Sequence, residues 1–410
     1  MNAGDTAWIL TSSALVFLMT PGVAFFYGGM ARRKNFLSLL MQCFFIACLV
    51  GLQWVLFGYS LSFAPDTGMG IIGSLDWLGL RGVGFEANPD YSGTIPHLSF
   101  MIFQAMFAII TPALIVGAFA ERIKFSAFAL LILLWTTLVY DPIAHWVWGT
   151  GGWLRDLGAL DFAGGIVVHD SSGVSALVMA ILIGRRLGFE KKAFVPHNLP
   201  LTVLGGALLW VGWFGFNGGS ALGANGLAAN AFVNTNTATA AAGLAWALVE
   251  WWKHGTPTVL GIVTGAVAGL VAITPACGFV TPMSAIMIGL LAGIFCFLAV
   301  TVLKPKLGYD DSLDVFGVHG VGGIWGTLAT GLFAEVAVNS AGADGLLFGN
   351  AKLFLVQCVY LLACVTYAVV VTWILFKVVD AIIGVRVDRK DELVGLDLTQ
   401  HHESAYTILE

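Results

Sequence analysis

Eleven stretches of mostly apolar residues, each long enough to cross a lipid bilayer as a helix, run through this sequence of 410 residues. A transmembrane helix needs about 20 such residues. Charged residues make up only 10% of the chain, whereas soluble domains carry about 25%. Most of the surface must therefore face lipid, and we predict an all-α integral membrane protein. The eleven predicted transmembrane helices lie near residues 6–29, 36–62, 99–120, 125–146, 162–184, 200–220, 227–252, 258–277, 281–303, 316–335 and 350–380.

The basic residues indicate how these helices are oriented. Of the 19 lysines and arginines, sixteen lie in the connections after odd-numbered spans or near the C-terminal end. The other three are Arg81, Arg155 and Lys352. Because cytoplasmic loops carry an excess of basic residues, this bias predicts an N-terminus outside and a C-terminus in the cytoplasm. Ten or twelve spans would scatter the charges over both sides.

Two pairs of segments reveal an internal repeat. PGVAFFYGGMA (21–31) in the first span resembles GWFGFNGGSA (212–221) in the sixth. LDFAGGIVVHDSSGVSAL (160–177) in the fifth resembles LDVFGVHGVGGIWGTL (313–328) in the tenth, and His169 matches His319. An odd number of spans in each unit inverts the second unit relative to the first, and inverted repeats place a substrate path at their interface.

The repeat also predicts the domain organisation. Residues 1–383 form a membrane domain, with repeat halves at about 6–184 and 200–335 and an eleventh helix at about 350–380. Residues 384–410 are charged and polar. They are expected to form a cytoplasmic regulatory tail that is only partly ordered by itself.

Ionisable residues inside the predicted spans are few, and each is costly enough to suggest a function. His169 and Asp170 lie in the fifth span, Asp161 at its outer end, and His319 in the tenth. A single membrane histidine is more often a satisfied interhelical hydrogen-bonding group than part of a pore. Since the repeat makes His169 and His319 symmetry mates, we favour a histidine-lined path, in which each neutral imidazole offers one donor and one acceptor.

Aromatic side chains provide a second pattern. Phe103 and Phe107 are four residues apart in the third span, Trp148 follows the fourth, and Phe216 precedes Ser220 in the sixth. Considered separately, they fit an interfacial aromatic belt and core packing. Together with a histidine-lined path, they suggest a cation–π cage with a hydroxyl acceptor, which binds a small cation.

These motifs resemble those of the Amt/Mep/Rh ammonium transporter family, on the Amt side. The similarity runs nearly end to end. It rests on PGVAFFYGG (21–29), FQAMFAIITPALIVGAFAER (103–122), DFAGGIVVH (161–169), GWFGFNGGSA (212–221), DVFGVHGVGGIWG (314–326) and the tail segment VGLDLTQHHESAY (394–406).

The resemblance implies roles for individual residues. Phe107, Trp148 and Ser220 would form the outer ammonium site with Phe103 beside it, and Phe107 and Phe216 the hydrophobic gate. His169 and His319 would be the twin histidines of the pore, and Asp161 a structural carboxylate that supports the outer site. The resemblance also implies a homotrimer with one pore per subunit. The resemblance further implies that the C-terminal tail can bind a PII-type regulatory protein.

Asp170 departs from the family pattern, which usually has an apolar or small residue here. One interpretation is that Asp170 points about 100° away from the lumen and bonds to a neighbouring helix. The other is that it reaches the pore as an extra carboxylate that holds ammonium or favours a protonated His169. Tight binding of a charge would slow conduction and favour sensing.

The expected function is selective transport of ammonium or ammonia across the plasma or inner membrane, with methylammonium as a further candidate substrate. The alternative is an ammonium sensor that uses the same site with little or no net transport, for example as the membrane part of a signalling protein. The sequence contains no nucleophile–base pair, metal-ligand cluster or cofactor motif, so neither an enzyme, a metal nor a cofactor is expected. No basic run suggests nucleic acid.

Overall fold

The computed structural model describes residues 1–189, 191 and 194–406. Lys192, one of the basic residues used for orientation, lies outside the described residues. The same holds for the last four residues of the predicted tail, 407–410.

A helix occupies each of the eleven predicted stretches. These helices are α1 (Ala3–Met30), α2 (Arg33–Phe63), α3 (His97–Phe119), α4 (125–148), α5 (Gly165–Ile183), α6 (Leu199–Gly219), α7 (Gly226–His254), α8 (Val259–Ile273), α9 (Pro282–Leu307), α10 (316–333) and α11 (Ala351–Ile383). Two short helices follow in the tail, α12 (Arg389–Val394) and α13 (Leu396–His401). The connection between α2 and α3 contains a two-stranded antiparallel ribbon, β1 (Ala87–Asn88) and β2 (Ser92–Pro96). A helical turn, Trp153–Leu157, follows α4.

Eight of the described helices are long and apolar enough to cross a membrane, namely α1 to α6, α9 and α11. Helix α8 is apolar but has only 15 residues. Helix α7 is long but carries asparagines and threonines, and the regular part of α10 has only 13 residues. The chain is thus a multi-pass helical membrane protein, whereas the count of eleven spans and their orientation stay predictions.

Corresponding helices of the two predicted repeat units pack closely against each other. A Cβ atom on Gly205 of α6 would collide with the backbone nitrogen of Phe26 on α1. Likewise, a Cβ atom on Gly173 of α5 would collide with the backbone nitrogen of Gly320 on α10. These positions need glycine because two helix backbones meet there, as is common between membrane helices.

The molecule has two opposite faces, which we name by their most prominent segments. The loop face carries residues 64–96, and the start of α1 joins it through a hydrogen bond from the Asn2 amide to the Thr94 carbonyl oxygen (2.7 Å). The tail face carries residues 384–406. The end of α1 lies there, since the Lys34 ammonium group donates to the Glu392 carbonyl oxygen at 2.8 Å.

The described tail is packed against this face. Asp397 accepts a hydrogen bond from the Ser38 amide (2.8 Å), and the Asn35 side chain accepts one from the Leu396 amide (2.9 Å). Glu392 pairs with Arg386 at 2.8 Å. Polar residues that look solvated in the sequence therefore satisfy buried backbone groups at the start of α2.

Candidate functional site

A cavity of about 220 Å³ opens on the loop face. Phe107, Trp148 and Ser220 line this loop-face cavity, together with Asp161. The Trp148 ring is perpendicular to that of Phe107, with centroids 5.9 Å apart. The Ser220 hydroxyl donates to the Phe216 carbonyl oxygen at 2.8 Å, which leaves the lone pairs of its oxygen available to accept a hydrogen bond.

The rings of Phe107 and Phe216 are packed together, with centroids 4.3 Å apart. Both side chains are at most 1% exposed. Phe103 supports this pair from the side, with its ring 5.0 Å from that of Phe107. A pair of rings this close forms an apolar barrier below the loop-face cavity.

The two histidines lie beyond this barrier and contact each other. Nδ1 of His169 is 3.3 Å from Nδ1 of His319, and the imidazole rings are nearly parallel. One nitrogen must donate the proton and the other accept it. The structure therefore brings His169 and His319 into contact, as the repeat predicted.

His169 is also stacked against two aromatic rings. Its centroid lies 5.2 Å from that of Trp213 and 5.9 Å from that of Phe216. The Trp213 indole is fixed by a hydrogen bond to the Thr274 hydroxyl oxygen at 2.8 Å. The second nitrogen of His169, Nε2, has no hydrogen-bond partner among the described residues although it is fully buried. A buried polar atom without a partner is unusual, and it can receive a small polar molecule.

A second cavity, of about 170 Å³, opens on the tail face. His319 lines this tail-face cavity, as do Tyr27, Glu250 and Asp314. The loop-face cavity ends at Phe107 and the tail-face cavity at His319, so Phe216 and His169 lie between them.

The first turn of α5 explains how His169 is positioned. Residues Gly165–Asp170 form a π-helix, and Asp161 accepts hydrogen bonds from the four amides of residues 164–167 at 2.6–3.4 Å. The Tyr360 hydroxyl of α11 donates to the same carboxylate at 2.6 Å. The Trp148 indole donates to the Asp161 carbonyl oxygen at 3.0 Å. Asp161 thus connects the turn that carries His169 to one wall of the loop-face cavity.

Sequence reasoning missed the counterpart of Asp161. His319 lies on a second π-helix, Phe316–Gly320, whose first amide donates to Asp311 at 2.8 Å. Asp311 precedes His319 by the same number of residues by which Asp161 precedes His169. This shared spacing could have identified Asp311 from the sequence. Burial, partly opposed by Lys304, raises the pKa of Asp311 to about 6.

Asp170 lies beside α10 and not between the imidazoles. Its Oδ2 atom is 3.5 Å from the Thr327 hydroxyl. Its Oδ1 atom contacts Gly323 and has no hydrogen-bond partner within the described chain. This placement matches the interpretation in which Asp170 points toward a neighbouring helix.

The fold and site together define a multi-pass helical membrane protein with a buried histidine pair between two cavities on opposite faces. A sequence profile described as Ammonium Transporter Family matches residues 7–406, and the chain belongs to this family. The resemblance stated from the motifs is thereby confirmed.

Named relatives agree with this assignment. An ammonium transporter of Bacillus subtilis is 56% identical over 99% of both chains. The ammonium transporter Amt1 of Archaeoglobus fulgidus is 53% identical over 99% of this chain and 100% of that protein. Among solved structures, Mep2 of Candida albicans superposes with a TM-score of 0.90 at 39% identity, covering 99% of this chain and 90% of that one. A structure titled Sensor Amt Protein gives 0.89 at 29% identity, covering 97% and 98%.

Proposed function

We propose that this protein transports ammonium selectively across the plasma or inner membrane, with ammonia as the species that passes the histidine pair. One observation carries the proposal: the contact between His169 and His319 lies between two cavities on opposite faces, behind a pair of packed phenylalanine rings. Membership in the Ammonium Transporter Family supports it.

Recruitment begins in the loop-face cavity. A cation against an aromatic face gains about 0.5–2 kcal/mol, and Trp148 and Phe107 offer such faces. Ammonium also donates a hydrogen bond to the Ser220 oxygen. Potassium has no hydrogen to donate, so this contact favours ammonium between two ions of similar size.

Passage follows after deprotonation. The ring pair of Phe107 and Phe216 excludes water, and a bare charge there loses its hydration without replacement. Ammonium can give its proton to water in the loop-face cavity and continue as ammonia, whereas potassium cannot shed its charge. The proton then passes separately along the hydrogen-bonded imidazoles, so that each turnover moves one net charge. The free Nε2 atom of His169 then meets the neutral molecule first, and the imidazole pair relays it to the tail-face cavity.

The predictions on membrane topology, oligomeric state and regulation can be combined. The eleven helices cross the membrane with the loop face outside and the tail face in the cytoplasm. The protein is a homotrimer with one pore per subunit. Asn236, exposed at the middle of α7, supports this, because an amide in lipid lacks a partner that a neighbouring subunit would supply. The packed tail, with its helices α12 and α13, offers a docking surface for a PII-type regulator.

Currents on solid-supported membranes with reconstituted protein test the transport proposal. An ammonium concentration jump should give a sustained current that a potassium jump does not, and His169→Ala should abolish it. His254→Ala removes an exposed histidine at the end of α7 and serves as the matched control, which should keep the current.

The same experiment separates a transporter from a sensor. The likeness to a sensor Amt protein is the observation that favours sensing. A brief current whose decay does not change with protein density would mean that ammonium binds without turnover, and it would replace transport by sensing.

A further inference from the structure

Asp170 is a fully buried carboxyl group in the middle of the helix bundle. Its neighbours on every packed element are identifiable. Thr327 of α10 is 3.5 Å from Oδ2. Cys364 and Tyr360 of α11 and Asp161 are close enough to interact with it electrostatically, and His169 is the preceding residue.

Among these neighbours only His169 can carry a positive charge, and its ring is packed against Trp213 and faces His319 instead of the Asp170 carboxyl. In the described part of the chain, no lysine or arginine forms an ion pair with Asp170. Asp161 is itself a carboxyl group, and it repels a second anion. An ionised Asp170 would therefore be a buried, unpaired charge, which membrane insertion scales penalise by about 2.5–3.5 kcal/mol.

The packing around Oδ1 limits what can neutralise it. A Cβ atom on Gly323 would overlap Oδ1 and lie 3.0 Å from the Gly165 carbonyl oxygen. Two acceptor oxygens thus approach the same small space beside Gly323, and no donor from the described residues fills it. A proton converts Oδ1 into a donor.

We propose that Asp170 is a proton-binding site beside the pore. In the resting protein the carboxyl is neutral, with the proton on Oδ1 directed to the Gly165 carbonyl oxygen, while the Thr327 hydroxyl donates to Oδ2. The proton comes from bulk water and returns to it at alkaline pH, which leaves a carboxylate next to His169.

The consequence for transport rests on the proposed function. A neutral Asp170 leaves the histidine pair without a fixed negative charge beside it. After ionisation, the carboxylate attracts the proton that passes along the imidazoles and slows its release on the order of tenfold or more, at an effective dielectric constant of about 20.

Infrared spectroscopy tests the proton directly and does not depend on transport. The carbonyl band of a protonated carboxyl should be present in the wild type at neutral pH and missing from Asp170→Asn. Thr327→Val should keep this band but shift it to higher frequency, because one hydrogen bond is lost. Asp156→Asn, which alters an exposed carboxyl on the loop face, should leave it in place.

An unchanged carboxyl spectrum in Asp170→Asn would overturn the proposal. Should that variant fail to fold, a Thr327→Val spectrum identical to the wild type would overturn it as well.

Transport measurements then test the consequence. Ammonium current is recorded from neutral to alkaline pH while the concentration of the cation itself is held constant. The wild-type current should fall on the alkaline side, and the Asp170→Asn current should not. Parallel pH profiles would refute the functional role. If neither protein carries a current while the infrared band is present, the transport proposal fails and the proton site stands.

Discussion

Replacing Trp148 by leucine should weaken ammonium binding in the loop-face cavity about 2- to 30-fold. The Trp148 ring lines that cavity and is held perpendicular to Phe107 by its hydrogen bond to the Asp161 carbonyl oxygen. One favourable ring contributes about 0.5–2 kcal/mol to cation binding, and 1.4 kcal/mol is a factor of ten. Phe107 remains in the variant, so the affinity falls but binding persists.

The assay is the dependence of the peak current on ammonium concentration, with potassium as competitor. The half-saturating concentration should rise in Trp148→Leu, and Trp148→Phe should lie between this variant and the wild type. Trp252→Leu is the matched control, because Trp252 is 88% exposed at the end of α7. An unchanged half-saturating concentration in Trp148→Leu would refute the assignment of this cavity as the recruitment site.

Two further predictions concern groups that hold the site and the tail face together. Asp161→Ala leaves four amides and the Tyr360 hydroxyl without their acceptor, which costs about 1–3 kcal/mol for each buried donor. The midpoint temperature of thermal unfolding should therefore fall well below that of Asp161→Asn. Equal midpoints for the two variants would contradict this prediction. Burial alone would raise the pKa of Glu121, but Arg186 and Arg32 hold this pKa below its usual range. The stabilisation is therefore present above the pKa of the unfolded carboxyl and is lost as the pH falls through the lower folded value. Glu121→Gln should lower the free energy of unfolding at neutral pH by about 3–5 kcal/mol. Stability should then depend less on pH on the acid side than it does in the wild type. An acid-side pH dependence equal to that of the wild type would count against this prediction.

The positions of the helices could be predicted from apolar runs alone, because burial in lipid or among helices requires them everywhere along a span. The helical geometry at the histidines could not be predicted from the apolar runs. Both histidine segments are π-helices. In the structure, Gly173 allows the backbone of Gly320 to approach, and Gly323 makes room for the Asp170 carboxyl.

The candidate site could also be predicted only in part. The aromatic and histidine positions follow from the motifs and the repeat, and the structure brings Phe107, Phe216, His169 and His319 into one row of contacts. Tyr360 was not predicted, because it comes from α11, which lies outside the repeat and carries no spacing that relates it to Asp161.

The two π-helical turns show where the repeat is symmetric and where it is not. Each turn places a histidine eight residues after a carboxylate, so the two histidines are positioned by the same pattern. The carboxylates differ in how well they are satisfied. Asp161 accepts from four amides and from Tyr360, whereas Asp311 Oδ1 has no hydrogen-bond partner among the described residues, and the pKa of that carboxyl is near 6.

The Asp161 carboxylate caps the turn that carries His169, and the His169 ring packs against Trp213 and Phe216. An incompletely bonded one that titrates close to neutrality leaves its turn sensitive to protonation. Aromatic rings line both described cavities, but Ser220 lies beside Phe107 and Trp148 only in the loop-face cavity. Under the proposed function, we therefore assign ion selection to the loop-face cavity, and we expect protonation of Asp311 to affect the turn that carries His319.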